Sequence, residues 1–188
     1  EPRGLALAGR TAGIVGLGGI GRALVKRLKA FDMKIMGIRR HDPASAKEEL
    51  GLDWAGGPGD LYELLSSSDY TLLCVPLNDK TRNLMDEGAF AAMKKDAFLI
   101  NLARGGLVDR GALERAPSSG AIAGAGLDVY WEEPPDPNDP VFSYNVMATP
   151  HIGGSTDLSM KGIVAAVAEN IERVEAGKEP LYRRYPED

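Results

Sequence analysis

Ala12-Gly13-Ile14-Val15-Gly16-Leu17-Gly18-Gly19-Ile20-Gly21 decides the fold of this chain: an apolar run, three spaced glycines and the opening of a helical pattern. The run reads as a buried strand, and Ile20, Leu24, Leu28 and Phe31 recur on one face of a helix over residues 20–31. In that setting Gly16 permits a tight turn, Gly18 lets the backbone approach a diphosphate, and Gly21 lets helix and strand pack closely. Free N–H groups and the positive end of the helix dipole then make an anion site. Glycine-rich turns also arise for steric reasons alone, so the context carries the reading. Strand, turn and helix in that order predict a dinucleotide-binding loop.

Outward from the loop, short apolar runs alternate with helical segments. Strands are predicted at 12–17, 34–38, 70–75, 97–102, 122–129 and 146–149. Asp60 reads as the N-cap of a helix over 61–66, and a helix over 86–94 presents Phe90 and Met93. A helix over 109–116 is stopped by Pro117. The last, over 157–176, has Ile163, Val167, Ile171 and Val174 as its apolar stripe, Ser155 or Thr156 as its cap, and Gly177 as its stop. Such alternation predicts an α/β fold with a doubly wound parallel sheet of the Rossmann type, three layers deep (α/β/α), in a single domain. It spans 1–188, with 1–10 as an incoming linker and 181–188 as an exit linker. Leu72-Leu73-Cys74-Val75 is apolar throughout, as a doubly covered parallel strand requires. The long irregular stretch 130–144, with Glu132, Glu133 and four prolines, reads as a functional loop.

Composition narrows the function. At 188 residues, 44% hydrophobic and 26% charged, the chain is ordinary for a soluble globular domain and unlike a collagen, coiled-coil or disulfide scaffold. Twenty-two basic against 27 acidic residues give a net charge of −5 with no polybasic run, so no nucleic-acid partner is expected. No stretch approaches the roughly 18 apolar residues of a membrane span, and Glu1-Pro2-Arg3 does not read as a signal peptide; no membrane partner is expected. Cys74 alone makes neither a disulfide nor a cysteine-rich metal site, which suits a cytoplasmic setting and core packing for the thiol. No metal site is expected. Met33, Met36 and Met93 read as core.

The second strand ends Gly37-Ile38-Arg39-Arg40-His41, where an acid for the ribose 2′-hydroxyl is expected. No carboxylate comes until Asp42. Arg39 and Arg40 would attract a 2′-phosphate that an acid would repel, so the sign of the charge favours NADP, with NAD second; His41 could assist. A solvated basic turn is the plainer alternative.

Three polar residues follow three strand ends, where ligands of open α/β sheets bind: Arg104, Glu133 and His151. Separately each has a plain explanation: a surface arginine, one acid of a solvated loop, a structural histidine. Together they suit one reaction. Hydride transfer to a carbonyl leaves an alkoxide that a histidine protonates near neutral pH. A carboxylate on the other ring nitrogen holds that imidazole in its charged form, and a guanidinium binds a substrate carboxylate bidentately. The set therefore suits a small 2-keto acid and its 2-hydroxy acid.

The segments GLGGIG, NLARGGLVD, GAGLDVYWEEP and TPHIGGST, in that order, resemble the cofactor-binding domain of the D-isomer-specific 2-hydroxyacid dehydrogenases, over about residues 7–185. The resemblance implies that Arg104 binds substrate and that Glu133 is the acid paired with a catalytic His151. It implies cofactor contacts at Gly19 and Ile20, at Arg39 where the family usually has Asp, and at Val75, Pro76 and Thr81. It adds Leu102, Ala103 and Arg104, Asp128 beside the nicotinamide amide, His151, and Gly153 with Gly154. Glu133 disfavours the related formate dehydrogenase branch, expected to carry an amide there. Arg39 is as in the NADP-using glyoxylate and hydroxypyruvate reductases of the family, so glyoxylate or hydroxypyruvate is the expected substrate. Family members are similar to two-domain homodimers joined through this domain, with roughly 100 residues of substrate domain ahead of the glycine loop. Only about a dozen residues precede the first strand here, so the chain reads as the cofactor domain with its substrate domain absent, expected to bind dinucleotide and turn over poorly alone. The competing expectation is a dinucleotide-sensing binding protein like the corepressors related to this family.

Overall fold

In a computed structural model, residues 4–183 are described; the expectations for 1–3 and for 184–188 lie outside the described residues. In order the elements are β1 (Thr11–Val15), α1 (Gly19–Lys29), β2 (Lys34–Ile38), α2 (Pro43–Leu50), β3 (Trp54–Gly56), α3 (Leu61–Ser67), β4 (Tyr70–Leu73), α4 (Glu87–Ala92), β5 (Phe98–Asn101), α5 (Arg110–Ser118), β6 (Gly124–Leu127), β7 (Val146–Ala148) and α6 (Asp157–Glu175). The chain divides between Pro150 and His151 into two compact units.

The first unit holds an all-parallel sheet in the order β3-β2-β1-β4-β5-β6-β7. Its order reverses between β2 and β4 on either side of β1, which is where such sheets open a crevice at the carboxyl ends of their strands. Alternate side chains feed two separate cores. Ala12, Ile14 and Ile35 pack with Val25 of α1 and Ala46 of α2. Val15, Met36, Ile38, Leu73 and Leu99 pack with Leu64 and Leu65 of α3, Phe90 of α4 and Leu113 of α5. Helices therefore cover both faces, which gives the three layers. A fully enclosed residue such as Ile14 or Leu99 contributes about 1.5–3 kcal/mol over leaving it in water.

Asp69, at the foot of β4, knits the opposite end of the sheet. Its carboxylate accepts from the Thr11 N–H at 2.7 Å and from Lys94 Nζ at 3.0 Å, with Arg10 at 4.0 Å. Burial pushes its pKa up, but the Thr11 N–H, Lys94 and Arg10 together hold it below the ordinary aspartate value.

Several elements depart from the sequence reading. The sheet has seven strands rather than six, because Trp54–Gly56 pairs with β2 as an edge strand. Helix α2 is an addition too: Asp42 caps it by accepting from Ser45 N–H at 3.1 Å, and Pro43 occupies its first turn. On α1 the buried face is Gly21 and Val25 with the half-buried Leu24 and Leu28; Ile20 and Phe31 are exposed. Asp60 does not cap α3 through its side chain but accepts from Gly57 N–H at 2.7 Å, closing the 3-10 turn before that helix. Asp109, not a helical residue, caps α5 at Ala112 N–H, and Pro117 lies inside α5, which runs on to Ser118. The 130–144 loop contains a 3-10 turn at Pro140–Ser143. Met33, Met36 and Met93 are buried, as expected.

The second unit is built on α6. Thr156 caps it reciprocally with Ser159, accepting from that residue's N–H at 3.1 Å while Ser159 Oγ accepts from Thr156 N–H at 2.9 Å. Gly177, with φ +67°, follows its C-terminus.

Candidate functional site

The glycine loop is built as its spacing requires. Gly16 has φ +104°, and a Cβ there would lie 2.8 Å from the Cys74 carbonyl oxygen and 2.7 Å from Val75. A Cβ on Gly21 would stand 2.1 Å from the Gly16 carbonyl oxygen, so helix α1 sits against the turn only because no side chain intervenes. At Gly18 and Gly19 a Cβ would meet nothing within 4 Å, so these two border open space. Gly18 is the N-cap of α1, with no side-chain cap and no acid in the first turn. An uncapped helix start without a carboxylate, beside open glycine backbone, fits a diphosphate.

Arg39 leaves the end of β2 half-buried, its N–H donating to the Gly56 carbonyl at 3.0 Å. Arg40 Nε lies 2.8 Å from His41 Nε2. Asp42, the carboxylate nearest in sequence, is taken up in capping α2. Two neighbours escaped the sequence reading: Arg22 of α1 and Glu49 of α2, which meet in a two-pronged ion pair. The Arg22 hydrogen bond holds the Glu49 carboxyl below the usual range, with a smaller pull from Arg39.

Beyond β4, Val75 faces Gly16. The Thr81 hydroxyl donates to the Pro76 carbonyl at 2.7 Å and accepts from Asn78 N–H at 2.8 Å, pinning that loop. Beyond β5, the Asn101 side chain shapes the turn carrying Leu102, Ala103 and Arg104: its amide donates to the Arg104 carbonyl at 2.9 Å and its Oδ1 accepts from Ala103 N–H at 3.1 Å. Arg104 is exposed, and its guanidinium donates to the Ala103 carbonyl at 2.6 Å.

The next residue joins two loops. A Cβ on Gly105 would lie 2.1 Å from both the carbonyl carbon and oxygen of Tyr130, so the Arg104 turn and the start of the 130–144 loop touch backbone to backbone. That loop is anchored further by Trp131 Nε1 donating to the Val108 carbonyl at 2.8 Å, and by Arg110 over the Trp131 ring and 2.9 Å from Asp139. Within it, Glu133 Oε1 accepts from Tyr130 N–H at 3.2 Å. Asp128, 4% exposed at the end of β6, accepts from the Thr149 hydroxyl at 2.6 Å. The Tyr130 hydroxyl donates to the Thr149 carbonyl at 2.9 Å. Burial, with Asp128 and Glu133 nearby, pushes the Tyr130 phenol up.

In the first unit the structure thus brings the Arg104 turn, Asp128, Glu133 and the end of β7 together at the carboxyl edge of the sheet. Of the predicted set, His151 with Gly153 and Gly154 falls in the second unit; His151 is exposed, with φ +54°. Cys74 is half-buried, and burial pushes its thiol up to about 11, away from the range of a reactive thiolate. Among the described residues, no group of three or more His, Cys, Asp or Glu side chains is placed to hold a metal ion, and no helix is long and apolar enough to cross a membrane.

The family model for the NAD-binding domain of the D-isomer specific 2-hydroxyacid dehydrogenases matches residues 1–153. The chain belongs to that family. As a 2-hydroxyacid dehydrogenase domain it is 42% identical over 176 residues to a D-3-phosphoglycerate dehydrogenase of Methanocaldococcus jannaschii, covering 94% of this chain and 33% of that protein. It is 42% identical over 178 residues to a glyoxylate reductase of Pyrococcus furiosus, covering 94% of this chain and 52% of the relative. Among solved structures, it is similar to a D-isomer specific 2-hydroxyacid dehydrogenase from Xanthobacter autotrophicus in complex with NADPH and MES. That match has TM-score 0.84 and 31% identity, over 100% of this chain and 74% of the other. The chain therefore spans between about a third and half the length of these curated relatives. It is an NAD-binding domain of the family, with the Rossmann-type sheet the family uses.

Proposed function

We propose that this chain is the coenzyme-binding part of an oxidoreductase that reduces a small 2-keto acid to its D-2-hydroxy acid, with glyoxylate or hydroxypyruvate as the substrate class. The observation that carries the reading is the backbone contact of Gly105 with Tyr130, which sets a guanidinium turn beside a carboxylate loop at the carboxyl edge of the sheet. A reduced nicotinamide supplies a hydride when bound. The chain's own residues supply the rest. Arg104 binds the substrate carboxylate in two-pronged fashion and polarises the adjacent carbonyl. His151 gives its proton to the alkoxide oxygen, and Glu133, as its acid partner, favours the imidazolium that has the proton to give. Val75, Pro76, Thr81, Leu102 and Asp128 would hold the coenzyme, Asp128 as the acceptor for the nicotinamide amide, together with Gly153 and Gly154.

NADP is the proposed coenzyme, NAD the second choice. Arg39 and Arg40 stand where the ribose acid is expected, Asp42 is committed to a helix cap, and Glu49 is occupied by Arg22. The full protein is proposed to be cytoplasmic and to dimerise through this domain, with neither nucleic acid nor membrane as a partner.

The test is NADPH oxidation by the full-length protein with glyoxylate and with hydroxypyruvate, against His151→Ala. Substrate-dependent oxidation, lost in the variant, is the expected result; binding of NADPH without turnover of either acid would move the reading to a dinucleotide sensor. The chain has two histidines, His41 and His151, so imidazole NMR resolves the pairing: Glu133→Gln should displace the ring resonances of His151 and leave those of His41 in place.

A further inference from the structure

Thr149 is fixed at three points. Its N–H donates to the Leu127 carbonyl at 2.9 Å, its carbonyl accepts from the Tyr130 hydroxyl at 2.9 Å, and its own hydroxyl donates to Asp128 Oδ1 at 2.6 Å. Asp128 is held from the other side, its N–H donating to the Asn101 carbonyl of β5 at 3.1 Å. The backbones on both sides of this side-chain bond are thus tied to neighbouring strands, and the bond links a buried carboxylate at the end of β6 to a side chain just past β7. A hydroxyl bonded to one carboxylate oxygen at such a distance is charge-assisted and resists rotation of the carboxylate about its Cβ–Cγ bond. The bond from Thr149 thereby restrains the plane in which Asp128 can accept from a donor.

We propose that Thr149 is a positioning residue for the nicotinamide end of the coenzyme, acting through the orientation of Asp128. The inference rests on the reading of Asp128 as the acceptor for the nicotinamide amide. It assigns Thr149 a part in selecting the reactive ring, distinct from any contact with the adenine, ribose or diphosphate at the glycine loop.

The experiment is calorimetric titration of this chain, as wild type, Thr149→Val and Thr149→Ser. The ligands are NADPH and NADH, and their counterparts lacking the nicotinamide, 2′-phospho-ADP-ribose and ADP-ribose. Thr149→Val should bind the nicotinamide coenzymes about tenfold more weakly, the size of one lost charge-assisted hydrogen bond. Its affinity for the two ring-less ligands should be unchanged, and Thr149→Ser should restore the wild-type pattern. Equal losses for ligands with and without the ring would make Thr149 a merely structural residue and overturn the proposal, as would no loss or no rescue by serine. A wild-type chain that binds both kinds of ligand equally would remove the role of Asp128, and one that binds none would remove the dinucleotide reading; either takes this inference with it. Thr149→Ala, which deletes the hydroxyl without adding a methyl, answers the same question if the valine variant does not fold.

Discussion

Gly105→Ala offers a direct trial of how the site is assembled. The added Cβ would lie 2.1 Å from two backbone atoms of Tyr130 and 2.6 Å from Trp131 N, whereas real Cβ contacts essentially never fall below 3.0 Å. Backbone on both sides leaves no flexible side chain to move aside, so one loop must retreat by about 0.9 Å. Overpacking of this kind costs about 1–3 kcal/mol, or a fall in Tm of about 2–12 °C in a domain of this size. Gly106→Ala is the matched control. The nearest atoms to its Cβ would be the tips of two flexible side chains, Leu77 at 3.0 Å and Arg82 at 3.6 Å, and neither glycine has φ in the left-handed region. Both substitutions share the unfolded-state gain of roughly 0.4–1 kcal/mol from replacing glycine, so the difference between them isolates the clash. Circular-dichroism melting of this chain measures it. In the full-length protein the same retreat would part the Arg104 turn from the loop that carries Glu133, and misplacement on the 1 Å scale can lower turnover by about 100-fold. Equal melting temperatures for the two variants would refute the backbone contact on which the arrangement rests.

Three further outcomes are expected. Arg39→Asp should weaken NADPH binding by about 10- to 100-fold, the size of a lost charge-assisted bond, and turn the preference toward NADH; a variant that keeps its NADPH preference in fluorescence titration would show that Arg39 is a solvated surface charge. Cys74, with its thiol pushed up to about 11, should react with iodoacetamide at pH 8 on the order of 1,000-fold more slowly than its thiolate would, and become reactive in urea; prompt labelling of the native chain would contradict its burial. Asp69 is depressed in the folded chain relative to its ordinary value of 3.8, so its contribution is complete above that value and is lost as pH falls through the folded pKa. Asp69→Asn should therefore destabilise the chain near neutrality, by about 1–3 kcal/mol, and the gap in urea midpoints should narrow below about pH 4; a gap constant with pH would assign the loss to packing instead.

The sequence by itself determined the elements whose signal is local. An apolar run followed by spaced glycines could only be a strand, a turn and a helix, and repeated alternation of such units dictates a parallel sheet with helices on both faces. A cap at Ser155 or Thr156 before α6 was legible from the residue type, and Arg104 and Glu133 beyond strands because a strand end is visible wherever an apolar run stops; the structure chose Thr156. Helix α2 and strand β3 were not read. The helix buries little beyond Ala46, and a three-residue edge strand has no period to detect; only Asp42-Pro43, an N-cap followed by proline, marked the place. Tertiary structure alone decided which side chains meet. Arg22 and Glu49 are 27 residues apart, and Asp128 and Thr149 are 21 apart. These pairings follow from strand order and from two helices sharing one face of the sheet. Periodicity records which face a residue occupies, whereas a partner is chosen only when non-adjacent stretches of chain are packed side by side.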